Sequence, residues 1–146
     1  MIYLLIIPIA LQATAMFVDE FYFHRKRGLP RWERVGHPID SFSVLLCYLF
    51  LLLTLPTLKN ITIYAGLSFF SCLLITKDEF VHSERCEPSE NWLHALLFVL
   101  HPITFFCAGV IWYQDLSVDF LFLQPLVVGG FMLYQIIYWS RYAKSE

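Results

Sequence analysis

Five long apolar runs constrain this chain more than any other feature of its sequence. They cover about residues 1–18, 39–57, 60–76, 92–113 and 118–139. A helix that crosses the hydrocarbon core of a bilayer needs about 20 mostly apolar residues. The second and third runs are short by this measure, so their helices should tilt, thin the bilayer locally or extend with polar residues. The runs predict an all-α integral membrane protein of about five transmembrane helices.

The composition agrees with a membrane protein. The 146 residues suit one domain, 58% are hydrophobic and 15% are charged, against about 45–50% apolar and 25% charged residues in soluble domains. The first run has no basic residues before it, so we interpret it as a membrane helix and not as a signal peptide. The net charge of -2 indicates no particular partner. No Gly-rich phosphate loop occurs, and nothing favours a nucleic-acid partner.

The basic residues predict the orientation in the membrane. With five spans, nine of the 10 Lys and Arg side chains fall on one side, opposite Lys59. These nine are Arg25, Lys26, Arg27, Arg31, Arg34, Lys77, Arg85, Arg141 and Lys144. The positive-inside rule then predicts an outer N-terminus and a cytoplasmic C-terminus, and we expect a bacterial inner membrane. Tyr138, Trp139 and Tyr142 fit an interfacial aromatic belt on the inner side.

A weak internal repeat relates two predicted helical hairpins. Its copies are Asp19-Glu20-Phe21, His24, Pro30, Glu33, His37 and, about 58 residues later, Asp78-Glu79-Phe80, His82, Pro88, Glu90, His94. The second copy lacks one residue between its Phe and its first His. The repeat predicts a four-helix bundle built from hairpins at about 1–57 and 60–113, related by a pseudo-two-fold along the membrane normal. A fifth helix at about 118–139 should pack against this bundle without supplying metal ligands.

Each predicted helix end in the repeat carries a Glu and a His at helical spacing. Side chains three or four residues apart share one face of a helix, and four of the five His belong to these pairs. Carboxylates can bridge two ions, and mixed nitrogen and oxygen ligands suit iron, manganese or zinc. The sequence therefore predicts a site for two divalent metal ions, with iron preferred. Its ligands would be Glu20, His24, Glu33, His37, Glu79, His82, Glu90 and His94.

Four further side chains are candidates for supporting roles. Asp19, Asp78 and Asp40 could be ligands or could accept hydrogen bonds from imidazole N–H groups. His101 lies two turns after His94 on the same helix face, at a depth where ionisable groups are costly and usually functional. A neutral His101 bonded to a helix carbonyl or a Tyr is an equal alternative. The cysteines form no C-x-x-C pair, and we expect them to be small hydrophobes and not ligands.

The ligand types resemble those of the di-iron carboxylate bundle proteins, in which two helices supply Glu and two supply Glu-x-x-His. Here Glu79 and His82 have the shorter spacing, and the other three pairs have the longer one. The placement of ligands at cytosolic helix ends also resembles membrane fatty-acid hydroxylases and desaturases. The H-x-x-x-H and H-x-x-H-H boxes of those enzymes are absent from this sequence. The resemblance covers ligand types and location only, over about 80 residues.

The predicted function is that of a membrane-embedded metal-dependent enzyme acting on a lipid or other apolar substrate. Its chemistry would be oxidative, with O2 and an electron donor, or hydrolytic, with two metal ions as a clamp. The alternative is a metal-ion transporter, sensor or storage protein, although transport sites usually lie at the membrane midplane. Paired His could also bind haem, but the acid beside every His adds nothing to that role. A structural protein without metal, and a homo-oligomer, stay open.

Overall fold

The computed structural model is helical in nearly all of the residues that it describes, which are 2–141, without the side chains of Asp78 and Val81. The predictions made for Asp78, Tyr142 and Lys144 therefore lie outside the described parts of the chain. No strand occurs within residues 2–141. The all-α class predicted from the apolar runs is confirmed.

Five helices are long and apolar enough to cross a membrane, as the sequence predicted. Each has between 23 and 28 residues, more than the roughly 20 that a straight span needs. They are α1 (Ile2–Arg27), α2 (Arg31–Leu53), α3 (Leu58–Arg85), α4 (Pro88–Tyr113) and α5 (Val118–Arg141).

Polar residues lengthen the first three helices beyond their apolar runs. Helix α1 is α-helical over Ile2–Val18, π-helical over Asp19–His24 and α-helical again over Arg25–Arg27. Helix α3 is wound more tightly at the matching place, as a 3-10 segment over Ile75–Asp78 between α-helical segments. We expected these extensions to enter water. In α1, Arg25 and Lys26 are exposed, but Asp19, Glu20 and His24 are buried in the bundle.

Two short loops make the hairpins and bring four helix ends together. Residues 28–30 join α1 to α2, and residues 86–87 join α3 to α4. Gly28 has a φ of +80°, and its N–H donates to the carbonyl of His24 at 2.8 Å. Glycine adopts this backbone conformation without a steric cost, which suits it to the end of a helix. Such short loops make the two helices of each hairpin, α1 with α2 and α3 with α4, run antiparallel.

The apolar core fills the half of the bundle that is remote from these two loops. Helix α1 packs mainly on α4, and α2 mainly on α5. A Cβ added to Gly109 would lie 3.0 Å from the Tyr64 ring, so this glycine permits close helix contact. The Tyr64 hydroxyl donates to the carbonyl of Phe105 at 2.8 Å. Close packing and interhelical hydrogen bonds of this kind hold membrane bundles together, since lipid tails are as apolar as the core.

Candidate metal centre

The opposite half of the bundle is polar inside. We call it the polar end: it comprises residues 19–41 and 75–94 of α1 to α4, with the two loops. Its buried side chains include Asp19, Glu20, His24, Glu33, His82, Glu90 and His94, each at most 8% exposed. His37 is half-buried. Seven of the eight predicted metal ligands therefore meet here, and the predicted supporting residue Asp19 lies among them.

The π-helical segment of α1 determines how Asp19, Glu20 and His24 face one another. Its i to i+5 hydrogen bonds bring His24 over Asp19, while Glu20 stays close by. The Nε2 atom of His24 lies 3.2 Å from Asp19 Oδ2, and its Nδ1 atom lies 3.6 Å from Glu20 Oε2. A regular α-helix would align His24 with Glu20 only. Because of this winding, the i,i+4 spacing of Glu20 and His24 did not predict that Asp19 also faces His24.

Two side chains of α5 hold the carboxylate of Glu20. Gln135 Nε2 donates to Glu20 Oε2 at 3.1 Å, and the indole N–H of Trp139 donates to Glu20 Oε1. Gln135 in turn accepts a hydrogen bond from Ser41 of α2 at 2.8 Å. Trp139, which we expected in an interfacial aromatic belt, is 5% exposed and bonded inside the bundle. No pattern in the sequence predicts these contacts, because they join residues more than 90 positions apart.

Arg27 joins the first-turn glutamates of the two hairpins. It donates to Glu33 Oε2 at 2.8 Å and to Glu33 Oε1 at 3.3 Å. It also donates twice to Glu90 Oε1, at 3.1 Å and 3.0 Å. In the sequence, Arg27 belongs to the basic cluster that predicts the orientation in the membrane. Its position between the matched residues Glu33 and Glu90 shows that it also compensates buried charge.

The two imidazoles of each hairpin lie side by side at the polar end, and the His24 ring of the first hairpin lies 6.3 Å from the His94 ring of the second. His82 and His94 have ring centroids 3.9 Å apart, and His24 and His37 have centroids 4.7 Å apart. His94 Nε2 bonds to Asp19 Oδ1 at 3.0 Å. His82 Nε2 lies 3.4 Å from Glu33 Oε1. The first hairpin thus contributes two carboxylates, of Asp19 and Glu33, that face imidazoles of the second hairpin.

Four groups of potential metal-ligand atoms form at the polar end, each with all its atoms within 4.8 Å of one another. They are Asp19 with His24, Glu90 and His94; Glu20 with His24 and His37; Glu33 with His37 and His82; and Cys86 with His82 and His94. Each of the four imidazoles belongs to two groups, so the groups form a closed ring. Ligands of one ion lie at most about 4.6 Å apart, which is twice a metal–ligand distance of about 2.3 Å. Small side-chain movements would suffice to close any of these groups on an ion.

Several ring nitrogens in these groups make no hydrogen bond to the described residues. They are both nitrogens of His24 and of His82, and Nδ1 of His94. A buried polar atom normally has a partner, because leaving it unpaired costs about 1–3 kcal/mol. Neutral imidazole nitrogens without a hydrogen bond are free to bind a metal ion.

Two other predicted residues lie at the margin of the site. Glu79, a predicted ligand, has a side chain that is 62% exposed, and its Oε2 atom lies 3.9 Å from His82 Nδ1. It belongs to none of the four groups. Asp40 forms an ion pair with Lys77 at 2.6 Å and lines the same cavity as the imidazoles.

His101 lies deeper in the bundle, in a network of its own. Gln12 Nε2 donates to its Nδ1 atom at 2.8 Å, so the ring proton lies on Nε2 and is donated to Ser71 at 3.1 Å. Ser71 and Ser43 are bonded at 2.7 Å. The hydrogen-bond partners of His101 are therefore Gln12 and Ser71, and not the helix carbonyl or Tyr that we expected. It belongs to none of the four ligand groups.

Cys86 is a potential ligand that the sequence analysis missed. It is the one cysteine outside the apolar runs, and it lies one turn after His82 in the loop to α4. Burial raises the pKa of its thiol to about 12, so the thiol is neutral without a bound ion. The sequence signal that could have found it is its i,i+4 spacing from His82.

No family model, no curated protein and no solved structure matches the chain. The function must therefore be argued from the site itself.

Proposed function

We propose that this protein is a membrane-embedded, metal-dependent enzyme with a two-metal centre of carboxylate and imidazole ligands, preferentially di-iron. One observation carries the proposal: four carboxylates and three imidazoles lie buried together at one end of a membrane-type bundle. Ionisable groups within membrane spans are costly, and by default they indicate a functional site. The next steps concern charge, substrate access and chemistry.

Charge balance supports bound cations. Asp19, Glu20, Glu33 and Glu90 are each at most 8% exposed. Arg27 pairs with Glu33 and Glu90, whereas Asp19 and Glu20 face imidazole nitrogens of His24. An isolated buried carboxylate is so unfavourable that it either finds a cation or takes up a proton. Two divalent ions would supply the missing positive charge.

Two adjoining cavities support an apolar substrate. The first has a volume of about 100 Å³, and its lining includes His24, His82 and His94 together with Leu97 and Phe131. The second has about 80 Å³ and shares its Phe131 wall with the first. Together they are similar in size to the roughly 150 Å³ apolar cavity that binds benzene in an engineered protein. They would admit a segment of an acyl chain or a small apolar ring next to the imidazoles.

The second cavity runs between α1 and α5, where the two helices have few backbone contacts. Side chains of Phe17 and Phe131 close this gap, with ring centroids 5.8 Å apart. Phe17 is 48% exposed on the outside of the bundle. Rotation of these aromatic rings would open a path from the lipid phase to the cavity. Membrane lipid is therefore both the proposed solvent and the proposed source of substrate.

Iron would supply O2 activation at this centre, with electrons from a separate donor, whereas two zinc ions would supply an activated water for hydrolysis. The chain's own residues would hold the ions, position the apolar chain beside them and keep bulk water out. The hydrogen bonds from Gln135 and Trp139 would fix the orientation of Glu20. We prefer oxidation because most of the surface that the two cavities expose is apolar, which suits an acyl chain better than a phosphate.

Elemental analysis tests the proposal. The protein is purified in detergent without chelator, and iron, manganese and zinc are measured per chain, before and after reconstitution with each ion. We expect about two ions per chain, and less than half of that in Asp19→Asn. The matched control is Asp119→Asn, which changes an exposed Asp in the first turn of α5 and should keep full metal content.

The outcomes separate the candidate chemistries. Iron, together with O2 consumption by the reduced protein in lipid vesicles, supports the oxidative enzyme, and zinc with no visible absorption supports the hydrolytic one. Metal that crosses the vesicle membrane would favour the alternative of a transporter. A protein that holds no stoichiometric metal under any of these conditions refutes the two-metal centre.

A further inference from the structure

The sulfur of Cys86 lies beside two imidazoles of the second hairpin. Cys86 continues the turn that contains His82, because its N–H donates to the His82 carbonyl at 3.1 Å. Its Sγ atom and one ring nitrogen each of His82 and His94 all lie within 4.8 Å of one another. The thiol is partly buried, and both imidazoles are buried. Three potential ligands of soft or borderline character thus converge on one point.

The imidazoles in this group have open coordination positions. Both ring nitrogens of His82, which is 6% exposed, and Nδ1 of His94, which is 5% exposed, have no hydrogen bond among the described residues. His94 uses its other nitrogen, Nε2, to contact Asp19 at 3.0 Å. A carboxylate that holds one imidazole nitrogen while the other faces a metal ion is the usual support for a metal-binding histidine.

The sequence repeat gives Cys86 a counterpart. The repeat matches His24 with His82, and His37 with His94. The group of His24 and His37 is completed by Glu20, and the group of His82 and His94 is completed by Cys86. Glu79, which the repeat matches with Glu20, is instead 62% exposed. The two halves thus differ at one position, where a thiol stands in place of a carboxylate.

The different winding of α1 and α3 accounts for this exchange. Helix α1 is π-helical where it carries Glu20 and His24, which are four positions apart in the sequence. Helix α3 is 3-10 helical just before Glu79, and Glu79 and His82 are three positions apart in the sequence. The tighter winding and the missing residue rotate Glu79 away from the site while His82 stays inside. Cys86, one turn after His82, lies at the position beside the His82 imidazole that Glu79 does not occupy.

We propose that Cys86 is a thiolate ligand, together with His82 and His94, of one ion in the two-metal centre, and that Glu20, His24 and His37 belong to the other ion. This inference rests on the proposed function, because it assigns ligands within that centre. On metal binding the S–H bond breaks, a sulfur–metal bond forms and the proton leaves to solvent. Thiolate and imidazole ligands favour iron, cobalt or zinc over the harder manganese at this position.

Cobalt substitution tests the inference directly. The metal-free protein in detergent is titrated with Co²⁺ under anaerobic conditions, and its absorption spectrum is recorded. We expect a thiolate-to-cobalt charge-transfer band in the near ultraviolet, in addition to the weaker visible bands that report any bound cobalt. The band should disappear in Cys86→Ala and persist in Cys72→Ala, which removes a partly buried cysteine that belongs to none of the four ligand groups.

A second measurement needs no variant. Alkylation of the wild-type protein, read out by peptide mass spectrometry, should be at least about tenfold slower at Cys86 with Co²⁺ or Zn²⁺ bound, because the metal-bound thiolate is not a free nucleophile. Labelling of Cys72 should not depend on metal. This comparison decides the matter even where Cys86→Ala does not fold.

The results distinguish this inference from the proposed function. Visible cobalt bands without the thiolate band, or a thiolate band that survives in Cys86→Ala, overturn the role of Cys86 and leave the two-metal centre standing. Absence of any bound cobalt overturns both. The thiolate band, lost only with Cys86 and accompanied by metal protection of that thiol, establishes the mixed ligand set.

Discussion

Replacing Arg27 with Met should make the stability of the protein depend on metal. Arg27 makes four N–H···O contacts, of 2.8 to 3.3 Å, to Glu33 and Glu90. Removing one partner of a buried ion pair costs about 3–5 kcal/mol, since the other charge stays buried and unpaired. We expect the lower end of this range, because 15% of the Arg27 side chain is exposed. At about 3 °C per kcal/mol, the apparent melting temperature of the metal-free variant should fall by about 10 °C.

Bound metal should reverse much of this loss. A ligand present at 100 times its dissociation constant stabilises the folded state by about 2.7 kcal/mol. A divalent ion beside Glu33 and Glu90 would also replace the lost guanidinium charge, so metal should raise the melting temperature of Arg27→Met more than that of the wild type. The assay is thermal unfolding in detergent, followed by tryptophan fluorescence, with and without the reconstituted ion.

Lys26→Met is the matched control for this experiment. It removes the neighbouring positive charge, but the Lys26–Glu87 pair, at 2.9 Å, is more than half exposed on both sides. Exposed ion pairs contribute little to stability, so the melting temperature should stay within about 2 °C of the wild type. Equal losses in the two variants, or a loss in Arg27→Met that metal does not diminish, would refute the view that Arg27 compensates carboxylates of a metal site.

Three further predictions concern single residues. Glu90→Gln should lower the metal content per chain by at least half, whereas Glu79→Gln should leave it unchanged. The reason is that Glu90 is 1% exposed inside a ligand group, while Glu79 faces solvent. Equal metal loss in both variants would contradict the geometry. His101→Leu should lower the unfolding free energy by about 1–3 kcal/mol, since it leaves buried Gln12 without its partner, and should keep full metal content by elemental analysis. Gly28→Ala should cost about 1–3 kcal/mol of stability in thermal unfolding, because a φ of +80° with ψ near 159° strains any residue with a Cβ.

The sequence by itself determined the class of the fold and the residue types of the site. Five apolar runs of near-membrane length predict helices, since a helix satisfies the backbone hydrogen bonds of a membrane-spanning segment internally. The i,i+4 spacing of Glu33 with His37 and of Glu90 with His94 was readable because helical geometry alone puts such pairs on one face. Those pairs lie together at the polar end.

Only the tertiary structure decided which of these side chains face one another. The π-helical winding of α1 brings Asp19 to His24, and the tighter winding of α3 turns Glu79 outward. Such local changes of helical pitch depend on what each helix packs against, and a spacing rule for regular helices does not contain them. The tertiary structure likewise places Cys86 beside His82 and His94.

Contacts between distant parts of the chain were also beyond the sequence. Trp139 is an interfacial aromatic by its position in α5, yet the packing of α5 on α2 carries it to the carboxylate of Glu20. Arg27 follows the positive-inside pattern, yet it bridges Glu33 and Glu90. Periodicity reports which face of one helix is polar. The partner of a polar group is set by how the helices cross, and this depends on side-chain packing over the whole bundle.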